Sequence, residues 1–290
     1  MRFFIISFFL AVIPVSSRLK AQMIISYVLD TPEFFLSPVN TDKYETLDSC
    51  YLTLSYSFRS RSYEKDDSLS NVDLMELQMG NRYNAFFSRN LRDMDITNTK
   101  DMKEKMTFSF IPKEYKGWDI LINNEEKRET VTTRLPFSEQ VTEYEEPVPE
   151  LTFTPTEETD TVMGYFCKSA LCSYGGREWK VYYTEEIPLP FGPWKLNGAD
   201  GLILKALDTE NNFVFEAVGL TQQSNPIIRY DWKRKRMEKE EWKEFERDMY
   251  KNAGAFLRST RARVSIADDS ERGYHRLKED WSEYYNPLER

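Results

Sequence analysis

Apolar and polar residues alternate along the first half of this chain and recur every three or four positions near its end. From Tyr51, Leu52, Leu54, Tyr56 and Phe58 fall on one face, and Thr53, Ser55, Ser57 and Arg59 fall on the other. A period of two predicts a half-buried strand. Met23 to Leu29 is a shorter apolar strand. Leu74 to Met79 and Ala85 to Ser88 form two strands around the turn Gly80-Asn81. Thr107 to Ile111 and Trp118 to Asn123 are further strands. Arg61 to Asn71 is charged and serine-rich, which predicts a loop. Asp93 to Met106 is polar and fits either a surface helix or an unstructured insert. Residues 139 to 160 are rich in Glu, Thr and Pro. They predict an extended strand and a solvated loop within one sheet, in preference to a linker between two lobes.

The clearest unit is a hairpin. Val162 to Ser173 reads as one strand, Tyr174-Gly175-Gly176-Arg177 as its turn, and Glu178 to Glu185 as the return. Glycines supply the positive φ that a tight hairpin turn needs. Trp179, Val181 and Tyr183 share a face of the return strand. Prolines at 188, 190 and 193 exclude a central strand there. Leu202 to Leu207 and Phe213 to Leu220 are the next strands, separated by the turn Asp208 to Asn212. The order points to an antiparallel meander. Between Lys233 and Leu257, Trp242, Phe245, Met249, Ala253 and Phe256 trace one face of a helix. Residues 258 to 275 read as polar and irregular. A second short helix is expected around Leu277 to Tyr284.

The first 22 residues change the setting. Arg2 is followed by a nearly unbroken apolar run from Phe3 to Val15, then Ser16-Ser17 and Ala21-Gln22. Positive start, apolar core and small-residue cut site make a secretory signal. The run of 13 residues is shorter than the ~20 that span a bilayer. Cleavage falls after Ala21 or after Ser17. No cysteine stands near the cut, so a lipid anchor is not expected. The predicted organisation is a signal at 1–21, a β-rich domain at 22–232, and a C-terminal helical segment at 233–290 that packs on the sheet. The fold class is mainly β (α+β), with a large curved antiparallel sheet.

Charge and composition then exclude classes. Loss of Arg2, Arg18 and Lys20 leaves 36 basic against 48 acidic residues, a net charge of −12. That disfavours nucleic acid and anionic membrane surfaces as partners. Three cysteines, Cys50, Cys167 and Cys172, leave at least one thiol unpaired. Cys167 and Cys172 lie five apart on one strand, so a bridge between them needs a bulge or a break. With one histidine, His275, a structural zinc site is not expected. Histidine-based nucleophilic triads are equally disfavoured. No phosphate-binding glycine loop is present, and no cofactor is expected. The acids Glu143, Glu145 and Glu146, and Glu157, Glu158 and Asp160, are numerous enough to form a glycosidase pair. In a chain with 48 acids they read first as solvated charges. Lys233 to Arg236 is followed at once by Glu238, Glu240 and Glu241, which cancel its field.

Residues 192 to 204, from Gly192-Pro193-Trp194-Lys195 through Gly198-Ala199-Asp200-Gly201-Leu202-Ile203, resemble the signature of the GLPGLI family, exported Bacteroidota proteins. Gly164-Tyr165-Phe166-Cys167-Lys168-Ser169-Ala170 is similar to a second family segment. Gly176-Arg177, Tyr182-Tyr183-Thr184 and Ile187-Pro188 keep the family's order. The resemblance runs from Leu74 onward and is dense over 161–207. Ala199-Asp200 replaces the family's Leu-Pro. An aspartate can hold such a turn through its side chain. The resemblance makes Gly192, Pro193, Gly198, Gly201, Leu202 and Ile203 structural motif residues. It supplies no catalytic residue, and it places the protein in the periplasm or outer envelope.

Aromatic residues make up 14% of the chain, enough to line a sheet face with Tyr56, Phe58, Tyr165, Trp179, Tyr183 and Trp194. Such a face is either ordinary β-core or a surface for sugars, lipids or peptides. On the second reading, Tyr165, Trp179, Tyr183 and Trp194 contact the ligand. The leading expectation is an exported, non-enzymatic binding or envelope-associated protein. It would hold a hydrophobic ligand, a peptide or an outer-membrane partner. The rival is a carboxylate-dependent hydrolase acting on exported glycans.

Overall fold

The alternation around Tyr51–Arg59 belongs to a strand that runs on at both ends, β2 (Tyr44–Ser60). Leu54, Tyr56 and Phe58 are fully buried on its inner face. The computed structural model describes residues 24–27, 36–61, 71–105, 116–138, 140–259, 263–268, 273–276 and 285–290. The signal expected at 1–21, most of the loop at 61–71, the strand expected at 107–111 and the helix expected at 277–284 lie outside them.

Around β2 a large, mostly antiparallel sheet of 13 strands assembles. After β1 (Ile24–Tyr27) and β2, the chain forms β3 (Asn71–Gly80) and β4 (Tyr83–Ser88). Helix α1 (Arg89–Lys105) follows, then β5 (Trp118–Asn123), β6 (Arg128–Arg134) and β7 (Val141–Pro147). Next come β8 (Thr154–Val162), β9 (Tyr165–Tyr174), β10 (Arg177–Thr184), β11 (Leu202–Asp208) and β12 (Phe213–Thr221). The chain continues through β13 (Asn225–Tyr230), β14 (Arg234–Arg236), α2 (Lys239–Lys251), α3 (Ala253–Ser259), β15 (Arg263–Asp268) and β16 (Gly273–Arg276). The strand order is β14-β7-β6-β5-β4-β3-β2-β12-β11-β10-β9-β8, with β13 on the other half of β2. No helix among the described residues is long and apolar enough to cross a membrane.

That order sets the shape. β7 and β8 are consecutive in the chain, yet they stand near opposite ends of the sheet. Laid flat, ten strand spacings of ~4.8 Å would separate them by roughly 48 Å. The link Val148–Phe153 reaches at most about 25 Å. The sheet must therefore curl until its two ends approach. Its concave face then closes on one apolar core, with buried residues from β2 to β12 in a single cluster. Phe58, Phe215, Trp179 and Trp194 form a chain of ring contacts across it.

The long excursion between β10 and β11 fills part of this concavity. Trp194, Leu196, Ala199, Leu202 and Ile203 are buried. The buried Tyr56 hydroxyl donates to the Ile203 carbonyl at 2.6 Å, fastening the excursion to the centre of the sheet. Backbone bonds from Gly198 to the Pro190 carbonyl and from Ile203 to the Phe191 carbonyl fold it on itself. Gly201 lies so close to β10 that an added Cβ would stand 2.1 Å from the Thr184 carbonyl oxygen. A Cβ on Gly192 would stand 2.2 Å from that of Leu196.

Several expectations change. The strand drawn from Val162 to Ser173 is interrupted by a turn at Met163-Gly164, both with positive φ. A methionine in that conformation hid the turn. The loop drawn before residue 160 contains β8, an edge strand whose exposed, acidic residues show no alternation. Residues 263–268 and 273–276 are strands, and β15 pairs in parallel with the distant β1. Hydrogen bonding to a remote segment, which no local pattern records, supplies this order. β14 adds to β7, so the sheet continues past residue 232. The Gly175-Gly176 turn and the C-terminal amphipathic helix form as expected. The helix divides at Asn252 into α2 and α3.

The glycine contacts predict unequal responses to one added methyl. Gly201→Ala should lower stability by about 2–3 kcal/mol, because backbone has to move. Gly219→Ala, where the nearest atom is 3.8 Å from the new Cβ, should change it little. Urea denaturation of the two variants checks this.

Candidate functional site

A cavity of about 220 Å³ lies between the concave sheet face, α2 and the C-terminal residues. Trp118 and Ile120 of β5, Val131 of β6 and Phe213 of β12 come from the sheet side. The β10–β11 excursion contributes Trp194 and Lys195. Trp242, Glu246, Met249 and Tyr250 approach from α2, and residues 285–289 close one wall. The apolar face that predicted the helix seats it here, with Trp242 and Met249 buried.

Lys195 stands at the floor of this region, 1% exposed. Its ammonium lies 3.3 Å from Glu129 Oε1 on β6, donates to Glu289 Oε2 at 3.1 Å, and is paired with Glu146 of β7. The Tyr144 hydroxyl is 3.3 Å away. Lys239 of α2 bridges the same two acids, Glu146 and Glu289. Burial works against the Lys195 ammonium, and Tyr144, Glu129 and Glu289 outweigh it, so its pKa is raised. Burial also pushes the Glu129 carboxyl up to about 8; Lys195 opposes this and Glu146 adds to it. Burial raises Glu146 as well, but the two lysines prevail and hold it below its usual range. The result is a neutralised knot that ties β6, β7, the excursion, α2 and the chain's last residues.

The C-terminal residues are strapped down by a second buried cation. Arg177 pairs with Asp208 at 2.9 Å and donates to Asn286 Oδ1 and to the carbonyls of Pro287 and Leu288. The Arg290 amide donates to the Gly175 carbonyl at 2.7 Å. The hairpin turn therefore holds the strap that walls the cavity. On α2, Glu246 accepts from the Tyr285 hydroxyl at 3.0 Å. Burial raises its carboxyl to about 7, with Glu289 adding and Tyr285 and Lys116 opposing.

Of the aromatic residues singled out from sequence, Trp194 reaches the cavity. Trp179 is completely buried between Trp194 and Phe215, and Tyr183 is buried in the same cluster. Tyr165 packs against that cluster from a half-buried position. The face they share is interior packing. Gly192, Pro193, Gly198, Gly201, Leu202 and Ile203 shape the excursion that presents Trp194 and Lys195. The acidic clusters become ion pairs. Glu143 meets Arg229 and Arg234, Glu158 meets Lys180, and Asp160 meets Lys205. Cys50, Cys167 and Cys172 are buried free thiols. His275 falls in β16. Sequence reading missed Lys195, Glu129 and Glu246. A lysine inside an otherwise apolar stretch, Phe191 to Leu196, was the available signal.

No family model and no curated protein matches this chain. Among solved structures, PNGF-II in its P21 form is similar over 68% of this chain at 15% identity, with a TM-score of 0.44. PNGF-II in its C2 form is similar over 69% at 16% identity, with a TM-score of 0.43. The chain spans 33% of the length of each of these structures.

Two measurements probe the charged knot. Lys195→Met leaves buried acids short of a counter-charge and should cost about 3–5 kcal/mol in urea denaturation. Adding Glu129→Gln should restore part of that loss. Glu129 also has a pH signature. The folded protein keeps its proton to about pH 8, whereas an ordinary glutamate loses it near 4.5. The folded state binds more protons in that window, so stability falls as pH rises from 5 to 8. Glu246 acts with the same sign up to about 7. Glu129→Gln should flatten the dependence of the urea midpoint on pH.

Proposed function

We propose that this is an exported, non-enzymatic binding protein that holds a small hydrophobic ligand in the cavity beneath α2. The observation that carries the reading is the lining. Trp118, Ile120, Val131, Trp194, Phe213 and Met249 give the chamber an apolar side, and seven charged side chains, Arg61, Lys195 and Glu246 among them, border the rest. Ligand sites combine an apolar concavity with polar groups that fix orientation. The volume exceeds the ~150 Å³ of an apolar cavity that admits benzene.

The charge, apolar core and small-residue order of the first 22 residues supports export. The resemblance over 161–207 supports a GLPGLI-type protein of the periplasm or outer envelope. The crowding at Gly192 and Gly201 gives those motif positions a physical reason to be glycine. The hydrolase reading needs two carboxylates free to share a proton transfer around a substrate. Glu129 and Glu146 are instead bound to Lys195 beneath the cavity, and Glu289 is held by two lysines. The geometry therefore favours holding a ligand over cleaving one.

Protein purified from the envelope without denaturation should carry a small molecule visible by native mass spectrometry. Val131→Phe places a ring in the chamber and should abolish that load, and it should melt below loaded wild type but close to wild type stripped of its load. A wild-type protein recovered empty, or a variant that keeps the load, counts against the cavity.

A further inference from the structure

The charges around the cavity do not balance locally. Two arginines border it, Arg61 and Arg134. Arg134 is neutralised by the buried Asp95, which it grips with both terminal nitrogens. Arg61, just past β2, has no such partner among the described residues. Its backbone amide bonds to the Asn212 carbonyl at 2.9 Å, which fixes its position beside Phe213. Its guanidinium meets no carboxylate among the described residues, and its Nε is buried with no hydrogen-bond partner.

The other arginines that are buried or half-buried near the core behave differently. Arg177 holds Asp208, and Arg234 lies against Glu143. An Nε–H shut away from water without an acceptor carries a desolvation cost that an acceptor on an occupant would relieve. The acids of the cavity do not answer it. Glu289 is shared by Lys195 and Lys239, and Glu246 is turned to the Tyr285 hydroxyl. Lys116 and Lys243 also border the space, and Lys243 donates to the Arg290 carbonyl oxygen at 3.1 Å. Arg61 is thus a positive group at the cavity wall with no carboxylate partner among the described residues.

We propose that the occupant is a small aromatic carboxylate, its carboxylate seated on the Arg61 guanidinium and its ring among Trp118, Trp194 and Phe213. A guanidinium presents a planar fork of donors that matches a carboxylate. The aromatic walls accept a flat apolar body in offset or edge contact. The cavity's size limits that body to about one ring with a short tail. This rests on the cavity being the binding site.

Matched probes separate the two layers. 3-Phenylpropionate and 3-phenylpropionamide share shape and differ in charge. Titration calorimetry on the full-length protein should show the carboxylate binding at least tenfold more tightly. Arg61→Met should bring the carboxylate down to the affinity of the amide and leave the amide unchanged. Arg61→Lys, which keeps the charge, should retain most of the preference. Thermal melts of both variants confirm that they fold. Equal binding of the two compounds, or a preference that survives Arg61→Met, overturns the carboxylate assignment and leaves the cavity standing. Binding of neither compound overturns the cavity reading, and this inference with it.

Discussion

The six-residue link between β7 and β8 constrains everything else in this protein. Residues Val148–Phe153 join strands ten places apart in the sheet. Only a curled sheet satisfies that distance. Curling turns one face of every strand toward a common interior. It also explains why side chains from β2, β6, β10 and β12 belong to one cluster. A flat sheet with the same alternation would expose an apolar face to water, an area large enough to drive aggregation. The interior of the curl is wider than its own side chains fill. The β10–β11 excursion, α2 and the C-terminal strap enter it from three parts of the chain.

Bringing those three parts together places charges where water is scarce. Glu129, Glu146, Lys195, Lys239 and Glu289 come from five different segments and answer one another. Such a knot is a poor source of net stability, because each ion loses its hydration. It is a strong source of specificity. The excursion cannot slide by one residue without leaving Lys195 unpaired, and the strap cannot lift without taking Glu289 away from Lys195 and Lys239. The knot and the cavity share Lys195 and Glu289, so the same contacts that fix the fold hold one wall of the site.

The sequence pattern made parts of this visible and left others hidden for identifiable reasons. β2 and β10 announce themselves by alternation of a buried and a wetter face, and β11 and β12 by short apolar runs between turn residues. The Gly175-Gly176 turn is legible because glycine takes positive φ without strain. β8 leaves no trace, since an edge strand of Thr, Glu and Asp has two polar faces. The turn at Met163 is hidden by a side chain that rarely adopts that φ. β13 and β14 depend on partners far away in sequence. The site suffers most from this. Arg61, Val131, Trp194, Glu246 and Tyr285 are scattered over more than two hundred residues, and only the curl collects them. The aromatic excess was legible, but its use was not. Trp179 and Tyr183 fill the core, and Trp194 alone among the four candidates borders open space.

This distribution of roles decides what can discriminate between ligands. An apolar wall distinguishes bodies of different shape weakly, by about 1–3 kcal/mol for a methylene-sized change. A buried charge that lacks a partner discriminates far more sharply, because a wrong occupant leaves it unanswered. In this cavity the walls come from the core and are shaped by the needs of packing. Arg61 and Glu246 are not needed for packing in that way: among the described residues one guanidinium pairs with no acid, and one carboxyl accepts from a tyrosine hydroxyl. The wall they belong to is complete only when the strap and α2 are seated. An occupant would therefore bind the folded arrangement and not its parts, and by mass action it would stabilise that arrangement as it filled. Stability and selectivity would be linked at the same surface, where residues 285–290 pack against the Gly175-Gly176 turn and α2.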